Sequence, residues 1–304
     1  MFAFSTCWNS ARHHDGEPML DEIRSLGFSS VELSHGIRVS LIEGIQRALK
    51  SNPQLRVVSL HNFCPLPVGH LCAAPNIYLL SSANEIERQK AIRHTLQTMD
   101  FAVKLGAGVV VLHLGSVPMK SFTHQLLSLI HKGQRDTPAY QKTLEKALKK
   151  RADGGRKPFL QTMKSMEILA AAAKERRLLL GVESRFLLEE IPSEKEFEEL
   201  FKFFDRETVG YWHDSGHTQT WQNLGLTDHV KWLQKFQGRL IGGHLHDTAY
   251  PNIDHQLPGD GAVPFEQLTA FRRSDVLKVF EFEDGMPVEN LKERLSDFMT
   301  RFEG

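Results

Sequence analysis

The sequence predicts an α/β protein made of a single closed (β/α)8 barrel. Eight short apolar, β-branched segments alternate with longer amphipathic segments, which is typical of parallel strands joined by helical crossovers. The length of 304 residues suits one such barrel, which needs roughly 250 residues. No G-x-G-x-x-G pattern follows an early strand, which disfavours an open dinucleotide-binding sheet.

The predicted strands and helices alternate along the whole chain. The strands span residues 2–6, 30–33, 56–60, 108–112, 178–182, 208–212, 239–243 and 277–282. The helices span residues 18–26, 41–50, 84–105, 159–176, 193–204, 228–236, 265–272 and 288–302. Ser193 and Glu196 have the spacing of a capping box at a helix start. Gly27, Gly106 and Gly181 are expected at turns between a helix and a strand.

The composition excludes several classes of protein. Lysine plus arginine equals aspartate plus glutamate at 37 each, so no global positive charge favours nucleic acid or an anionic membrane. The three cysteines contain no C-x-x-C pair, which indicates free thiols in a reducing compartment. No signal peptide and no apolar run of about 18 residues is evident. We therefore expect a soluble cytoplasmic protein.

One domain is predicted over residues 1–304, with a basic insertion at about 116–157 after the fourth strand. The simpler interpretation of its cations is a solvated helix face; a lid that attracts phosphate over the barrel mouth is the alternative. The cations in question are Lys132, Arg135, Lys142, Lys146, Lys149, Lys150, Arg151, Arg156 and Lys157.

Acidic and histidine side chains follow almost every predicted strand. A lone histidine at such a position is usually a hydrogen-bonded core residue, but a run of six strand ends favours a shared function. Four of these residues are 31, 30 and 37 residues apart, about one βα unit each, and are expected at one height around the rim: Glu183, Asp214, His244 and Glu281. The others include Glu32, His61, His113, His217, His246, Asp247 and Glu283.

The residue types favour a divalent metal ion. Carboxylates and imidazoles without a thiolate suit zinc, manganese, cobalt or magnesium. Glu283 shares the strand face of Glu281 and could replace it as a ligand. His217 is expected on a turn facing the same site, and His246 and Asp247 are expected to orient the ligands. Glu32 is either a pocket residue or a helix-cap partner.

Four segments of the chain resemble the xylose isomerase-like TIM barrels. They are G-V-E-S-R, W-H-D-S-G-H, H-L-H-D and D-H-Q-L-P-G-D-G, and the resemblance runs from about Phe2 to Phe302. This superfamily includes sugar isomerases, sugar epimerases and DNA repair enzymes of the endonuclease IV type. The motifs are more specific for the superfamily than for one reaction.

The resemblance to the sugar isomerase and epimerase branch implies one metal ion held by Glu183, Asp214, His244 and Glu281. It implies a sugar or sugar-phosphate substrate and proton transfer next to a carbonyl through an enediolate, with Glu183 and Glu281 as catalytic base and acid. His217 would bind a substrate oxygen, and Arg185 or the basic insertion would hold a phosphate or carboxylate tail. Self-association is expected by analogy only.

The resemblance to the endonuclease IV branch implies instead a zinc-dependent phosphoesterase. The matching residues are His61, His113, Glu183, Asp214, His217, His244, His255 and Glu281. Ile253 stands where that branch has an aspartate, and Asp254 would point away from the site if the backbone is extended there. The neutral charge disfavours a nucleic-acid partner. A third alternative is a barrel that binds a sugar without catalysis.

Overall fold

A computed structural model describes residues 1–70, 73, 75–286 and 291–303. Eight parallel strands close into a barrel, as predicted, in the order β1-β10-β7-β6-β5-β4-β3-β2. These strands are β1 Phe2–Ser5, β2 Ser30–Leu33, β3 Arg56–His61, β4 Val109–Leu112, β5 Leu179–Glu183, β6 Val209–Asp214, β7 Leu240–Leu245 and β10 Leu277–Phe280. Every strand lies within two residues of its predicted bounds, because short β-branched runs that are buried on both faces have sharp polar ends.

Helices follow the strands and cover the outside of the barrel. They are α1 Gly16–Ser25, α2 Ile42–Ser51, α3 Glu85–Leu105, α4 Phe122–His131, α5 Pro138–Arg176, α6 Glu194–Phe203, α7 Ser215–Asn223, α8 His229–Phe236 and α9 Leu291–Glu303. The predicted capping box at Ser193 is present, with its backbone N–H donating to Glu196 Oε2 at 2.7 Å. The first residues of the last predicted helix, 287–290, lie outside the described residues.

One predicted helix is absent from the structure, and further elements were not predicted. Residues 265–272 form two 3-10 turns, Phe265–Gln267 and Thr269–Arg272, instead of an α-helix. An antiparallel hairpin, β8 Asp247–Ala249 with β9 Ile253–Gln256, and the helix α7 were not predicted. The hairpin and α7 are short, and short elements carry too little periodicity to be recognised.

Gly181 lies inside β5 and does not terminate a helix, contrary to the prediction. Its neighbour in the barrel interior is the fully buried Trp212 of β6. A Cβ atom at Gly181 would approach Trp212 Cε3 to 3.1 Å, and one at Gly242 of β7 would approach Trp212 Cζ3 to 2.4 Å. The two glycines therefore make room for an indole ring that fills the barrel below the strand ends.

The basic segment is mostly part of the long helix α5. Lys142, Lys146, Lys149 and Lys150 are exposed there, as expected for a solvated helix face. Arg151 differs, because it is buried.

The Arg151 guanidinium ties α5 to the segment that follows β5. It donates to the carbonyl oxygens of Leu188 and Glu190, both at 3.0 Å, and to the Glu196 carboxylate at 2.6 and 3.1 Å. A Cβ at Gly155, one turn later, would lie 2.2 Å from Arg151 Nη1, so a larger residue there would displace the guanidinium. Arg151 thus supports the loop that carries Glu190.

We expect Arg151→Met to lower the free energy of unfolding by roughly 3 kcal/mol, because it leaves the Glu196 carboxylate and two buried carbonyls without their donor. Urea unfolding followed by circular dichroism measures this loss. The matched control is Lys150→Met on the exposed face, with an expected change within about 0.5 kcal/mol. Equal unfolding midpoints for the two variants would contradict the structural role of Arg151.

Candidate functional site

A cavity of about 420 Å³ opens at the carboxyl ends of the barrel strands. This is the end at which barrels of this class carry their functional residues. Its wall combines carboxylates, imidazoles and guanidinium groups contributed by strands that are far apart in the sequence. The polar residues that line it include Cys7, Ser10, Ser34, His35, Arg38, His61, His113, Glu183, Arg185, His217, His255, Glu281, Glu283 and Asp284.

The four residues predicted as metal ligands lie together at the base of this cavity. His244 Nδ1 is 3.2 Å from Glu281 Oε2, 3.5 Å from Asp214 Oδ2 and 3.7 Å from Glu183 Oε1. All four side chains are buried. Asp214 and His244 are paired in register across β6 and β7, and Glu281 directly follows β10. The parallel strands therefore bring these residues to one height.

Glu32 fixes the orientation of the His244 ring. Its Oε1 lies 3.0 Å from His244 Nε2, and its Oε2 accepts a hydrogen bond from Ser59 Oγ at 2.7 Å. Of the two roles left open for Glu32, the structure therefore places it in the site wall. A carboxylate that receives the second ring N–H is the usual support of a metal-binding histidine.

The geometry leaves His244 Nδ1 without a hydrogen-bond partner among the described residues, although three carboxylates surround it. Burial would lower the pKa of His244, but the carboxylates of Glu281 and Glu32 outweigh burial and raise it well above its usual value. Burial likewise raises the pKa of Glu183, and the Arg185 and His113 side chains more than reverse this, so the pKa lies well below its usual range. The site concentrates negative charge around one imidazole nitrogen, an arrangement that fits a divalent cation.

His61 and His113 contact the other oxygen of Glu183. The distances from Glu183 Oε2 are 3.1 Å to His61 Nε2 and 2.8 Å to His113 Nε2. The donor atoms of these three residues lie within 4.8 Å of one another, as in a metal site. Arg185 also reaches this group, since its Nη1 is 2.9 Å from Glu183 Oε1.

His217 lies in the first turn of α7, which Asp214 caps. Asp214 Oδ1 accepts a hydrogen bond from the His217 backbone N–H at 2.7 Å. The His217 ring then faces Glu183, with Nδ1 at 3.3 Å from Oε1. Burial would lower the pKa of His217, but the Asp214 and Glu183 carboxylates raise it to about 9. His217 faces the site as expected, from a helix instead of a turn.

His246 and His255 extend the site toward the β8–β9 hairpin. His246 Nε2 lies 3.0 Å from the Asp214 carboxylate, which matches the expected role of orienting a ligand. His255 stacks on His246 with ring centroids 4.4 Å apart, and its Nε2 is 3.8 Å from Glu281 Oε2. Asp247 instead accepts backbone N–H bonds from Thr248, Gly259 and Val263 and so orders the following loop.

Asp254 points into the site, contrary to the expectation from the sequence. Its Oδ1 is 3.0 Å from His246 Nδ1, and its Oδ2 is 3.6 Å from His217 Nε2. The expectation assumed an extended backbone, but His255 adopts a φ of 53° and the hairpin register shifts. Ile253 is 55% exposed and faces away. Asp254, next to Ile253, therefore supplies the carboxylate on this side of the site.

Two neighbours of the predicted ligands lie away from the base of the site. Successive side chains of a strand point to opposite faces, so His213 points away from the site while Asp214 faces it. His213 points out of the barrel and contacts Tyr211 Oη at 2.7 Å and His229 Nε2 at 2.9 Å. Glu283 is exposed at the cavity mouth, whereas Glu281 is buried beside His244. Glu281 is thus the better placed of the two as a ligand.

Sequence reasoning overlooked His35. Its ring packs against His61 with centroids 5.1 Å apart, and its Nδ1 is a buried atom without a hydrogen-bond partner in the described part of the chain. Burial, followed by the neighbouring His61, lowers the pKa of His35 to about 3, so the ring is neutral. The signal was available, because V-E-L-S-H continues directly from the second strand.

The chain belongs to the xylose isomerase-like TIM barrel family, whose model matches residues 20–274. This confirms the resemblance derived from the four motifs. A curated relative, the uncharacterized protein y4fM of Sinorhizobium fredii, is 29% identical over 111 residues, which are 36% of this chain and 34% of the relative. The match thus spans about a third of that protein. Among the described residues, none of the helices is long and apolar enough to cross a membrane.

Similar solved structures share the barrel over nearly their whole length. A D-tagatose 3-epimerase-like protein has a TM-score of 0.69 at 15% identity, covering 99% of this chain and 97% of its own. The 3-keto-D-glucoside 4-epimerase YcjR from E. coli has a TM-score of 0.68 at 14% identity, covering 98% of each chain. The IOLI protein with a bound zinc atom has a TM-score of 0.64 at 14% identity, covering 99% and 97%. At these identities the likeness shows the fold.

We expect Glu32→Gln to weaken zinc binding about 10- to 100-fold, because the amide no longer draws the proton of His244 to Nε2 and leaves Nδ1 less basic. Competition with a chromophoric chelator measures the zinc dissociation constant. The matched control is Glu43→Gln, on the exposed face of α2, which should leave the constant unchanged. An unchanged affinity in Glu32→Gln would contradict this role.

Proposed function

We propose that the protein is a metal-dependent isomerase or epimerase that moves a proton next to the carbonyl of a sugar or sugar phosphate. The observation that carries the proposal is the buried Nδ1 of His244, which faces Glu183, Asp214 and Glu281 without a hydrogen-bond partner among the described residues. Membership of the xylose isomerase-like family supports this function. So do two similar barrels, a D-tagatose 3-epimerase-like protein and a 3-keto-D-glucoside 4-epimerase.

The metal ion would be held by Glu183, Asp214, His244 and Glu281, and manganese, zinc, cobalt and magnesium all suit these donors. The similar IOLI barrel was solved with a bound zinc atom, which supports a divalent metal site in this chain. Such an ion acts as a Lewis acid that polarises a substrate carbonyl and makes the adjacent C–H bond more acidic. In this chain, Glu32 would keep His244 in the tautomer with a free Nδ1 lone pair.

Glu183 and Glu281 would transfer the proton. Burial raises the pKa of Glu281, but the neighbouring histidines His244 and His255 together outweigh burial and lower it well below its usual value. The pKa of Glu183 is lowered in the same way by Arg185 and His113. Both groups are therefore carboxylates at neutral pH and can accept a proton from carbon. Glu183 and Glu281 reach the site from different sides of the barrel, since β6 and β7 lie between β5 and β10.

Two outcomes follow from this pair of carboxylates. If one of them removes the proton and the other takes up a proton from water and delivers it to the opposite face of the same carbon, the product is an epimer, and the first carboxylate then releases its proton to water. If the same carboxylate returns the proton to the neighbouring carbon, and the hydroxyl proton of the first carbon moves to the former carbonyl oxygen, the product is an isomer. Both routes pass through the same enediolate and leave the enzyme with the number of protons it began with.

The cavity wall suits a polyhydroxylated substrate. His35, His61 and His217 present ring nitrogens that can bond hydroxyl groups, and Arg38 lies at the rim. None of the cations at 132–157 is among the described residues that line the cavity, so the phosphate-binding lid proposed for that segment finds no support. Arg185 lines the cavity but is bonded to Glu183 and Glu190. An anionic tail would therefore extend toward Arg38.

We expect Glu183→Gln and Glu281→Gln each to reduce turnover by roughly 10²- to 10⁴-fold, because an amide cannot accept the proton. Exchange of the substrate C–H proton in deuterated water, followed by NMR with a panel of ketohexoses and their phosphates, measures the step directly. Assays at saturating metal, with the bound metal quantified, separate loss of proton transfer from loss of the ion.

The matched control is Glu167→Gln, a substitution at an exposed position of α5. This variant should exchange protons at the rate of the unmodified protein. Exchange that is equally fast in Glu183→Gln and Glu281→Gln would contradict the proposal.

A zinc-dependent phosphoesterase is the second candidate, and one observation favours it. Asp254 provides a carboxylate next to His217 and His246, so the aspartate missing at position 253 is partly replaced. This candidate predicts chelator-sensitive cleavage of a duplex that contains an abasic site.

We expect no incision of such a duplex by the zinc-saturated protein, because the chain has a formal net charge of zero and no global attraction for DNA. A gel assay at low salt, with and without chelator, tests this. Incision that the chelator abolishes would place the phosphoesterase function first.

A further inference from the structure

We infer that Arg185 occupies the position of a second cation beside His61, His113 and Glu183, so that the site accepts one metal ion instead of two. This inference rests on the proposed metal-dependent function and concerns the number of ions in the same site. It assigns Arg185 the role of determining metal stoichiometry, in place of the role of binding the substrate tail.

The three donors alone have the appearance of a second metal site. His61 Nε2 and His113 Nε2 both approach Glu183 Oε2, at 3.1 and 2.8 Å, on the side away from the Oε1 atom that faces His244. Two imidazoles and a carboxylate are a suitable ligand set for zinc. Their geometry alone therefore does not exclude a dinuclear centre.

The Arg185 guanidinium contacts the same atoms. Its Nη1 lies 2.5 Å from His113 Nε2 and 2.9 Å from Glu183 Oε1. A guanidinium has donors only, so the lone pair of His113 Nε2 accepts the Arg185 hydrogen bond and is not available to a metal ion. The 2.8 Å contact of the same nitrogen with Glu183 Oε2 then joins two acceptor atoms, and the adjacent guanidinium charge lies beside both. A permanent positive charge thus lies where a second ion would have to approach.

Arg185 is held firmly in this position. It is 7% exposed, and its Nε and Nη2 donate to Glu190 Oε1 at 3.2 and 3.1 Å. Glu190 is itself fixed, because it accepts from the Leu187 backbone N–H at 3.0 Å and from Asn76 Nδ2 at 3.1 Å. Moving the guanidinium away would leave buried Glu190 without its counter-charge.

His244, His61 and His113 differ in whether the second ring nitrogen has a hydrogen-bond partner. His244 is supported by Glu32, and His61 Nδ1 lies 3.0 Å from the carbonyl oxygen of Asn62. His113 Nδ1 is buried and has no partner among the described residues. Metal-binding histidines almost always have such a partner.

Zinc content tests the inference. The protein saturated with zinc and freed of excess is expected to contain one ion per chain by elemental analysis. Arg185→Met removes the cation and should raise the content to two, whereas Arg185→Lys keeps the charge and should leave it at one. In manganese-loaded Arg185→Met, electron paramagnetic resonance should show the exchange coupling of a neighbouring ion pair, which is absent from the unmodified protein.

His113→Gln provides a second test, and its effect in the otherwise unmodified protein does not depend on the Arg185 variants folding. In the otherwise unmodified protein it should leave one zinc ion with an affinity within about threefold, and in Arg185→Met it should return the content from two ions to one. A circular dichroism spectrum confirms the fold of each variant before analysis.

Three results would overturn the inference: two zinc ions in the unmodified protein, one ion in folded Arg185→Met, or a loss of the single ion in His113→Gln. The first of these would leave proton transfer by Glu183 and Glu281 intact as a function. No zinc, manganese, cobalt or magnesium in the unmodified protein after saturation would instead overturn the proposed metal-dependent function and, with it, the inference.

Discussion

The hydrogen bond between Glu32 and His244 is the interaction on which the candidate site depends. It joins residues 212 positions apart, at 3.0 Å, between strands β2 and β7. Because one ring nitrogen of His244 faces Glu32, the other must face Glu183, Asp214 and Glu281. A closed barrel is required for this contact, since β1 and β10 lie between the two strands. Formation of the site therefore depends on closure of the barrel. Buried carboxylates that would be costly in isolation are grouped around one imidazole, His244.

Much of the fold could be predicted from local sequence. Each strand is a short, mainly apolar run with a polar residue at its end or directly after it, and this pattern located all eight barrel strands within two residues. The same pattern predicted that Glu183, Asp214, His244 and Glu281 lie at one height around the barrel. The rule failed where backbone geometry departs from a regular strand. Asp254 was expected to face away, and the φ of His255 reverses that expectation.

The remaining features depend on contacts between residues distant in sequence, which leave no periodic signal. In the sequence, Arg151 cannot be distinguished from the exposed lysines beside it. In the structure, its guanidinium is buried against carbonyl oxygens of residues about 40 positions away. Gly181 resembles a helix terminator but makes room for Trp212. Arg185 follows Glu183 by two residues, and the sequence alone is consistent with a substrate-binding arginine. The distances show that its charge is paired with the carboxylates of Glu183 and Glu190.

The carboxylate of Asp247 anchors both ends of the segment 248–262, which carries the site residues Asp254 and His255. It binds the backbone N–H groups of Thr248, Gly259 and Val263, and so fastens both ends of the segment to one buried point. The tip between them, around Tyr250 and Ile253, is exposed beside the cavity mouth. Changes in length or sequence at this tip can alter which molecules enter without disturbing the anchored ends. Laboratory recombination between related barrels would find natural crossover points at Asp247 and Val263.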